Sequence, residues 1–188
     1  MSQREFITRI IAILEQTGIP YMITGSFGSS FHGEPRATND IDIVIAPTFE
    51  QLKKFSQSFG SEYYISELAV LDAWERQSMF NIIDHKSGWK ADVIIRKNRP
   101  YSKEEFQRRR KYNVNGSNLF FVSPEDAILS KLEWAKESGS EQQFRDALGV
   151  AIIQRKNLDI DYLRKWSKEL GISELFESLL EQADKFQI

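Results

Sequence analysis

Thr24-Gly25-Ser26-Phe27-Gly28-Ser29-Ser30-Phe31-His32-Gly33-Glu34-Pro35-Arg36-Ala37-Thr38-Asn39-Asp40-Ile41-Asp42-Ile43-Val44-Ile45 is the stretch on which the reading of this chain turns. Tyr21 to Thr24 reads as a short strand, and a helix is expected from Ser26 towards Phe31. Gly33-Glu34-Pro35 is a loop. Asp40 to Ala46 is a second strand, whose Ile41, Ile43 and Ile45 suit a central position covered by helices. A strand that ends in Gly-Ser and turns into a helix offers free N–H groups and a positive dipole end to an anion. Gly25 allows close backbone approach and Ser26 adds a hydroxyl donor. Gly28 and Ser29 keep the first helical turn uncrowded. Arg36 is either a further phosphate contact or an ordinary exposed loop arginine.

Asp40 and Asp42 project from one face of their strand, about 6.5–7 Å apart along the chain. Two carboxylates so placed repel unless a cation sits between them, and that strand carries no lysine or arginine. Magnesium takes oxygen ligands and keeps positions free for water and phosphate, which makes it the expected ion. Asp92, in Ala91-Asp92-Val93-Ile94-Ile95, supplies a third strand carboxylate, enough for a two-metal site. The plain alternatives are a solvated strand end for Asp40 and Asp42, and a turn cap or a Lys90 pair for Asp92.

Outward from this stretch, the 188 residues allow one good core, or one larger domain with a small helical companion. Hydrophobic residues at 41% and charged ones at 28% fit an ordered globular chain. No apolar run approaches the roughly 18 residues of a membrane span. The N-terminus lacks the apolar block of a signal peptide, and the expected location is cytoplasmic. With no cysteine there are no disulfides or thiolate sites, and two histidines make a histidine-rich zinc site improbable. A net charge of −2 gives no global pull on nucleic acid. The run Arg108-Arg109-Arg110-Lys111 is either a solvated face or a local nucleic-acid contact.

The remaining pattern predicts a capped helix from Ser2 to Leu14 and another after Pro47-Thr48. Strand-like segments follow at 62–65, 78–84 and 90–96, then a hairpin over 112–122 around Asn115-Gly116. Beyond Ser123-Pro124 the chain reads as helices at roughly 124–138, 141–154, 160–169 and 173–185. His32 and the four tryptophans are expected to be packed rather than reactive.

Thr24-Gly25-Ser26, a thirteen-residue spacer, Asp40-Ile41-Asp42-Ile43 and the later Asp92 resemble the nucleotidyltransferase superfamily that includes DNA polymerase beta. The spacer is at the long end, and Thr24 stands where an apolar residue is usual. Ser130-Lys131-Leu132-Glu133-Trp134-Ala135-Lys136 and Gln143-Phe144-Arg145-Asp146 are similar to helices of the bacterial minimal and abortive-infection toxin-type members. The resemblance implies an α/β (α+β) catalytic domain over 1–122, with a mixed, mostly antiparallel sheet, and a C-terminal helical bundle over 123–188. It implies Asp40, Asp42 and Asp92 as metal-binding and catalytic. Gly25, Ser26, Arg36, Lys131 and Asp146 would be nucleotide-binding, with Asp146 orienting Lys131 or the sugar. A structural salt bridge serves Asp146 equally well.

The expected activity is magnesium-dependent transfer of NMP from an NTP, ATP among them, to an acceptor hydroxyl. The acceptor is left open between tRNA, a protein and a small molecule such as an aminoglycoside, and a toxin–antitoxin setting would add an antitoxin-like partner. The rival expectation is a catalytically silent nucleotide-binding module in a regulatory or toxin–antitoxin complex. A dinucleotide-binding domain is weaker, because Gly25-x-x-Gly28 lacks the third glycine.

Overall fold

The computed structural model describes residues 1–114 and 116–186. Asn115, the first residue of the predicted Asn115-Gly116 turn, lies outside the described residues. Helix α1 (Gln3–Gln16) starts at a capping box between Ser2 and Glu5. Then come β1 (Tyr21–Thr24), α2 (Gly25–His32), β2 (Asp40–Ile45), α3 (Phe49–Gln57), β3 (Tyr63–Tyr64) and α4 (Glu67–Arg76). Strands β4 (Met79–Asp84) and β5 (Lys90–Ile95) precede α5 (Pro100–Gln107), and β6 (Arg110–Val114) and β7 (Ser117–Phe121) form a hairpin. The rest is helical: α6 (Pro124–Ser138), α7 (Glu141–Gln154), α8 (Ile160–Glu169) and α9 (Ser173–Lys185), with a 3-10 turn at Arg155–Asn157.

Among the described residues the strands form one seven-stranded sheet in the order β3-β4-β5-β2-β1-β7-β6. Only β2–β5 and β1–β7 pair in parallel, so the sheet is mixed and mostly antiparallel, as expected. Ile41, Ile43 and Ile45 join Phe6, Ile10 and Leu14 of α1 and Phe55 of α3 in one core. A second core packs α6, α7, α8 and α9 around Leu129, Val150, Leu163 and Phe176, and takes in Tyr101 of α5. Burying such a set of large apolar side chains, at about 1.5–3 kcal/mol each, is what fixes the layers.

Helices α4 and α5 depart from the predicted pattern, which left both segments without an element. Trp134 departs too, being 59% exposed rather than packed.

The seam between the two cores is tight. A Cβ on Gly33, at the end of α2, would lie 2.7 Å from the Val150 amide nitrogen and 2.9 Å from the Gly149 carbonyl carbon. Here main chain meets main chain, and Gln154 Nε2 adds a hydrogen bond to the His32 carbonyl at 2.9 Å.

A buried polar network joins α5 to α6. Ser130 Oγ donates to Glu105 Oε1 at 2.8 Å, and Arg99 grips Glu133 with two 2.6 Å bonds. Burial, with the Asp126 charge, pushes the Glu105 carboxyl up to about 8. An acid raised above its unfolded value of 4.5 stabilises the fold below that value and loses this as pH climbs through about 8. Stability is therefore expected to fall between roughly pH 5 and 8, by on the order of 2–4 kcal/mol from this group. Glu105→Gln keeps an acceptor for Ser130 and is expected to flatten that slope in urea unfolding. An unchanged slope would show that Glu105 is not its source.

Candidate active site

Strand register builds the site. Parallel pairing of β2 with β5 sets Asp40 beside Lys90 and Asp42 beside Asp92. Side chains alternate between faces with period two, so these four share one face. The same cross-strand row continues from Asp92 to Asn81 of β4 and from Asp42 to Thr24 of β1. The isoleucines of β2 fill the opposite face with core, which leaves the acids nowhere else to point.

Each outer acid has one oxygen held by a neutral donor. Thr38 Oγ1 donates to Asp40 Oδ1 at 2.8 Å, and Asn81 Nδ2 donates to Asp92 Oδ1 at 2.5 Å. The other oxygens turn towards Lys90, whose Nζ lies 3.0 Å from Asp92 Oδ2 and 3.5 Å from Asp40 Oδ2. The Thr38 bond holds the Asp40 carboxyl below its usual value against partial burial, and the Lys90 charge adds to this.

Asp42 differs. Burial pushes its carboxyl up, the Asp92 and Asp40 charges push the same way, and Lys131 with the Ser26 amide offset this only in part. That strain is what an added cation relieves, and the donor set of carboxylates suits magnesium. Among the described residues no three acidic or histidine side chains already converge into a metal cage.

Gly25 crowds against this row. It sits at φ +62°, and a Cβ there would lie 1.9 Å from Asp42 Oδ2 and 2.7 Å from Asp42 Cβ. The first amides of α2 thus emerge beside the acid. Thr24, the residue before this helix, makes no side-chain cap bond, so the α2 N-terminus presents its donors to the site.

Two cationic side chains converge on Ser26, and Asp146 pairs with both. Lys131 Nζ, from α6, lies 3.3 Å from Ser26 Oγ and 3.0 Å from Asp146 Oδ2 of α7. Arg36 donates to both Asp146 oxygens at 3.1 Å and also hydrogen-bonds Ser26 Oγ through its Nη2. Gln142 Nε2 completes Asp146 at 2.8 Å. Burial raises the Asp146 carboxyl, but the bonds from Arg36, Gln142 and Lys131 outweigh it and hold it below its usual value.

No protein-family model matches the chain, and no curated protein matches its sequence. Solved structures do match. ANT(2'')-Ia in complex with adenylyl-2''-tobramycin superposes with a TM-score of 0.58 at 13% identity, over 90% of this chain and 97% of that one. An antigenic nucleotidyltransferase-like protein from Paracoccidioides brasiliensis gives 0.52 at 18% identity, over 79% of this chain and 73% of that one. This chain has the nucleotidyltransferase fold. The lincosamide antibiotic adenylyltransferase LnuA, lincomycin-bound, is similar at a TM-score of 0.50 and 14% identity, over 77% of this chain and 93% of that one.

Within the nucleotidyltransferase fold, all eight residues singled out from the sequence fall in two adjoining groups. Asp40, Asp42, Asp92 and Gly25 form one, and Ser26, Arg36, Lys131 and Asp146 form the other. Asn81 and Thr38 were missed, and Lys90, expected only as a pair for Asp92, also reaches Asp40. The spacing Lys90-x-Asp92, which repeats Asp40-x-Asp42 on a parallel neighbour, was the signal for Lys90.

The basic run spends most of its charge internally. Arg108 pairs with Glu125 and Asp126 and lies 3.8 Å over the Tyr162 ring, Arg110 pairs with Glu125, and Arg109 stacks on Phe106 and Phe120. His32 is buried, with Nε2 donating to the Val122 carbonyl at 2.7 Å. No helix among the described residues is long and apolar enough to cross a membrane.

Proposed function

We propose that this chain is a magnesium-dependent nucleotidyltransferase that moves an NMP from an NTP to an acceptor hydroxyl. One observation carries the reading: three carboxylates on paired strands lie beside a Gly-Ser helix N-terminus on which two cations converge. In this reading residues 1–122 are the catalytic domain and 123–188 a helical domain that lends Lys131 and Asp146.

Asp40, Asp42 and Asp92 would hold the metal. When bound, the ion supplies neutralising charge for the triphosphate and polarises the α-phosphate. Gly25 and Ser26 amides, the Ser26 hydroxyl, Arg36 and Lys131 bind phosphate oxygens, and Asp146 orients the two cations. The acceptor oxygen attacks phosphorus in line, the bond to the β-phosphate oxygen breaks, and pyrophosphate leaves. Asp92 takes the acceptor proton. Positioning and charge stabilisation account for the acceleration.

A small-molecule hydroxyl is the favoured acceptor over tRNA or a protein. Two similar folds carry such molecules, adenylyl-2''-tobramycin and lincomycin, while the basic run here is engaged with Glu125, Asp126 and aromatic rings. A toxin–antitoxin setting is a narrower form of the proposal, resting on the Lys131 and Asp146 helices; a co-purifying protein that blocks turnover would test it.

One observation favours the silent nucleotide-binding module: Lys90 already bridges Asp40 and Asp92. Titrating each NTP with magnesium, beside an assay of pyrophosphate release with aminoglycoside, lincosamide and total RNA acceptors, separates the two. Release with one acceptor class is the expected result. Tight binding without release from any would overturn catalysis in favour of the module.

A further inference from the structure

Among the described residues Lys90 is the one strand-face cation beside the acids, and its position is built rather than incidental. The register puts it level with Asp40 and two residues before Asp92, so three carboxylates and one ammonium occupy a two-by-two block on β2 and β5. Thr38 and Asn81 each fix the far oxygen of an outer acid. The near oxygens are thereby aimed at a shared point, and the Lys90 ammonium stands there, 3.0 and 3.5 Å away. A cation that takes both oxygens must displace it. With about a third of its side chain exposed, Lys90 has room to swing to solvent.

We propose that Lys90 is a resident counter-ion that holds the cation position between Asp40 and Asp92 until nucleotide arrives with its metal. The inference rests on the reading of these acids as metal ligands. Two consequences follow. The lysine offsets carboxylate repulsion in the free protein, which lets the acid row fold without metal. It also makes the free protein a weak binder of divalent ions, so that metal is retained mainly together with a triphosphate. Lys90 is a positioning residue in this role, since it leaves as the metal comes in.

The test uses the full chain and Mn2+ as probe. Mn2+ affinity is measured by titration calorimetry for the native protein, Lys90→Gln, Lys90→Arg and Asp42→Asn, and melting is followed in chelator and in Mn2+. Lys90→Gln is expected to bind Mn2+ alone roughly tenfold more tightly or better, because one positive charge has gone from contact range. It should melt lower than the native protein in chelator, with Mn2+ closing the gap. Lys90→Arg, which keeps the charge, should match the native protein. Equal Mn2+ affinity in native and Lys90→Gln protein, with Asp42→Asn weaker than both, would overturn the counter-ion role and leave the metal reading standing. No Mn2+ binding by any variant, with or without NTP, would overturn both. Should Lys90→Gln fail to fold in chelator, refolding on Mn2+ addition supports the proposal and failure to refold with Mn2+ overturns it.

Discussion

Asp42→Asn is expected to lower nucleotidyl transfer by on the order of 10³-fold while the metal-free protein becomes more stable. The two effects have one origin. Burial and the neighbouring Asp92 and Asp40 charges raise the Asp42 carboxyl, so its ionised form is disfavoured in the folded chain. An isosteric amide removes that repulsion. At neutral pH the variant should melt higher, by about 2–4 °C for each kcal/mol relieved. The sign follows from linkage: an acid raised on folding stabilises at low pH and weakens the fold as pH rises through its folded value. The advantage of Asn should therefore vanish below the unfolded value of 3.8. Melting curves across pH, beside label transfer from NTP to whichever acceptor supports turnover, measure both. Undiminished transfer would remove Asp42 from the metal site. Diminished transfer with a lower melting point would mean that the carboxylate is structurally required.

Gly25→Ala should fail on both counts. A side chain at φ +62° costs about 1–2 kcal/mol by itself. The added carbon would also meet Asp42 Cβ at 2.7 Å, an atom tied to the strand that cannot swing aside. Overpacking of this kind brings the expected loss to roughly 2–5 kcal/mol, with activity lost because the acid and the helix N-terminus are forced apart. Gly88→Ala isolates the first contribution, since Gly88 has φ +72° with nothing within 4 Å of its Cβ position. Urea unfolding of both variants should show the larger loss at Gly25. Equal losses would mean that the contact with Asp42 yields easily.

Most of the sheet could be read from the chain because β1, β2, β4 and β5 carry strong apolar patterns. The capping signals at Ser2, Thr48 and Ser123 are real hydrogen bonds in the structure. Helix α4 escaped because its apolar residues do not keep to one face. Val70 and Ala73 are buried, while Leu68 and Leu71 are exposed, and it ends on Gln77 in the left-handed region without a glycine. Helix α5 escaped for the opposite reason. Its buried face includes Ser102 and Glu105, satisfied by Arg99 and Ser130 from outside the pattern, so no apolar period exists to detect. The site divides in the same way. Gly25, Ser26, Asp40 and Asp42 lie close in sequence with a recognisable spacing. Lys90 shares a face with Asp92 by its i, i+2 spacing, but its contact with Asp40 depends on the parallel register of β2 and β5, which no local spacing dictates. Arg108 and Arg110 of the basic run stand out in sequence because their partners, Glu125 and Asp126, are fifteen or more residues away.

The contact of Gly33 with Gly149 and Val150 bears on how turnover is timed. A lid that opens and shuts needs a greased joint, with side chains that can slide past one another. Here two backbones touch, with no side chain at Gly33 to act as a spacer, and a glutamine bond crosses the same place. In the proposed function the helical part would then serve as a fixed wall of the site rather than a door. Turnover in the proposed function should therefore not wait on a movement of one core against the other.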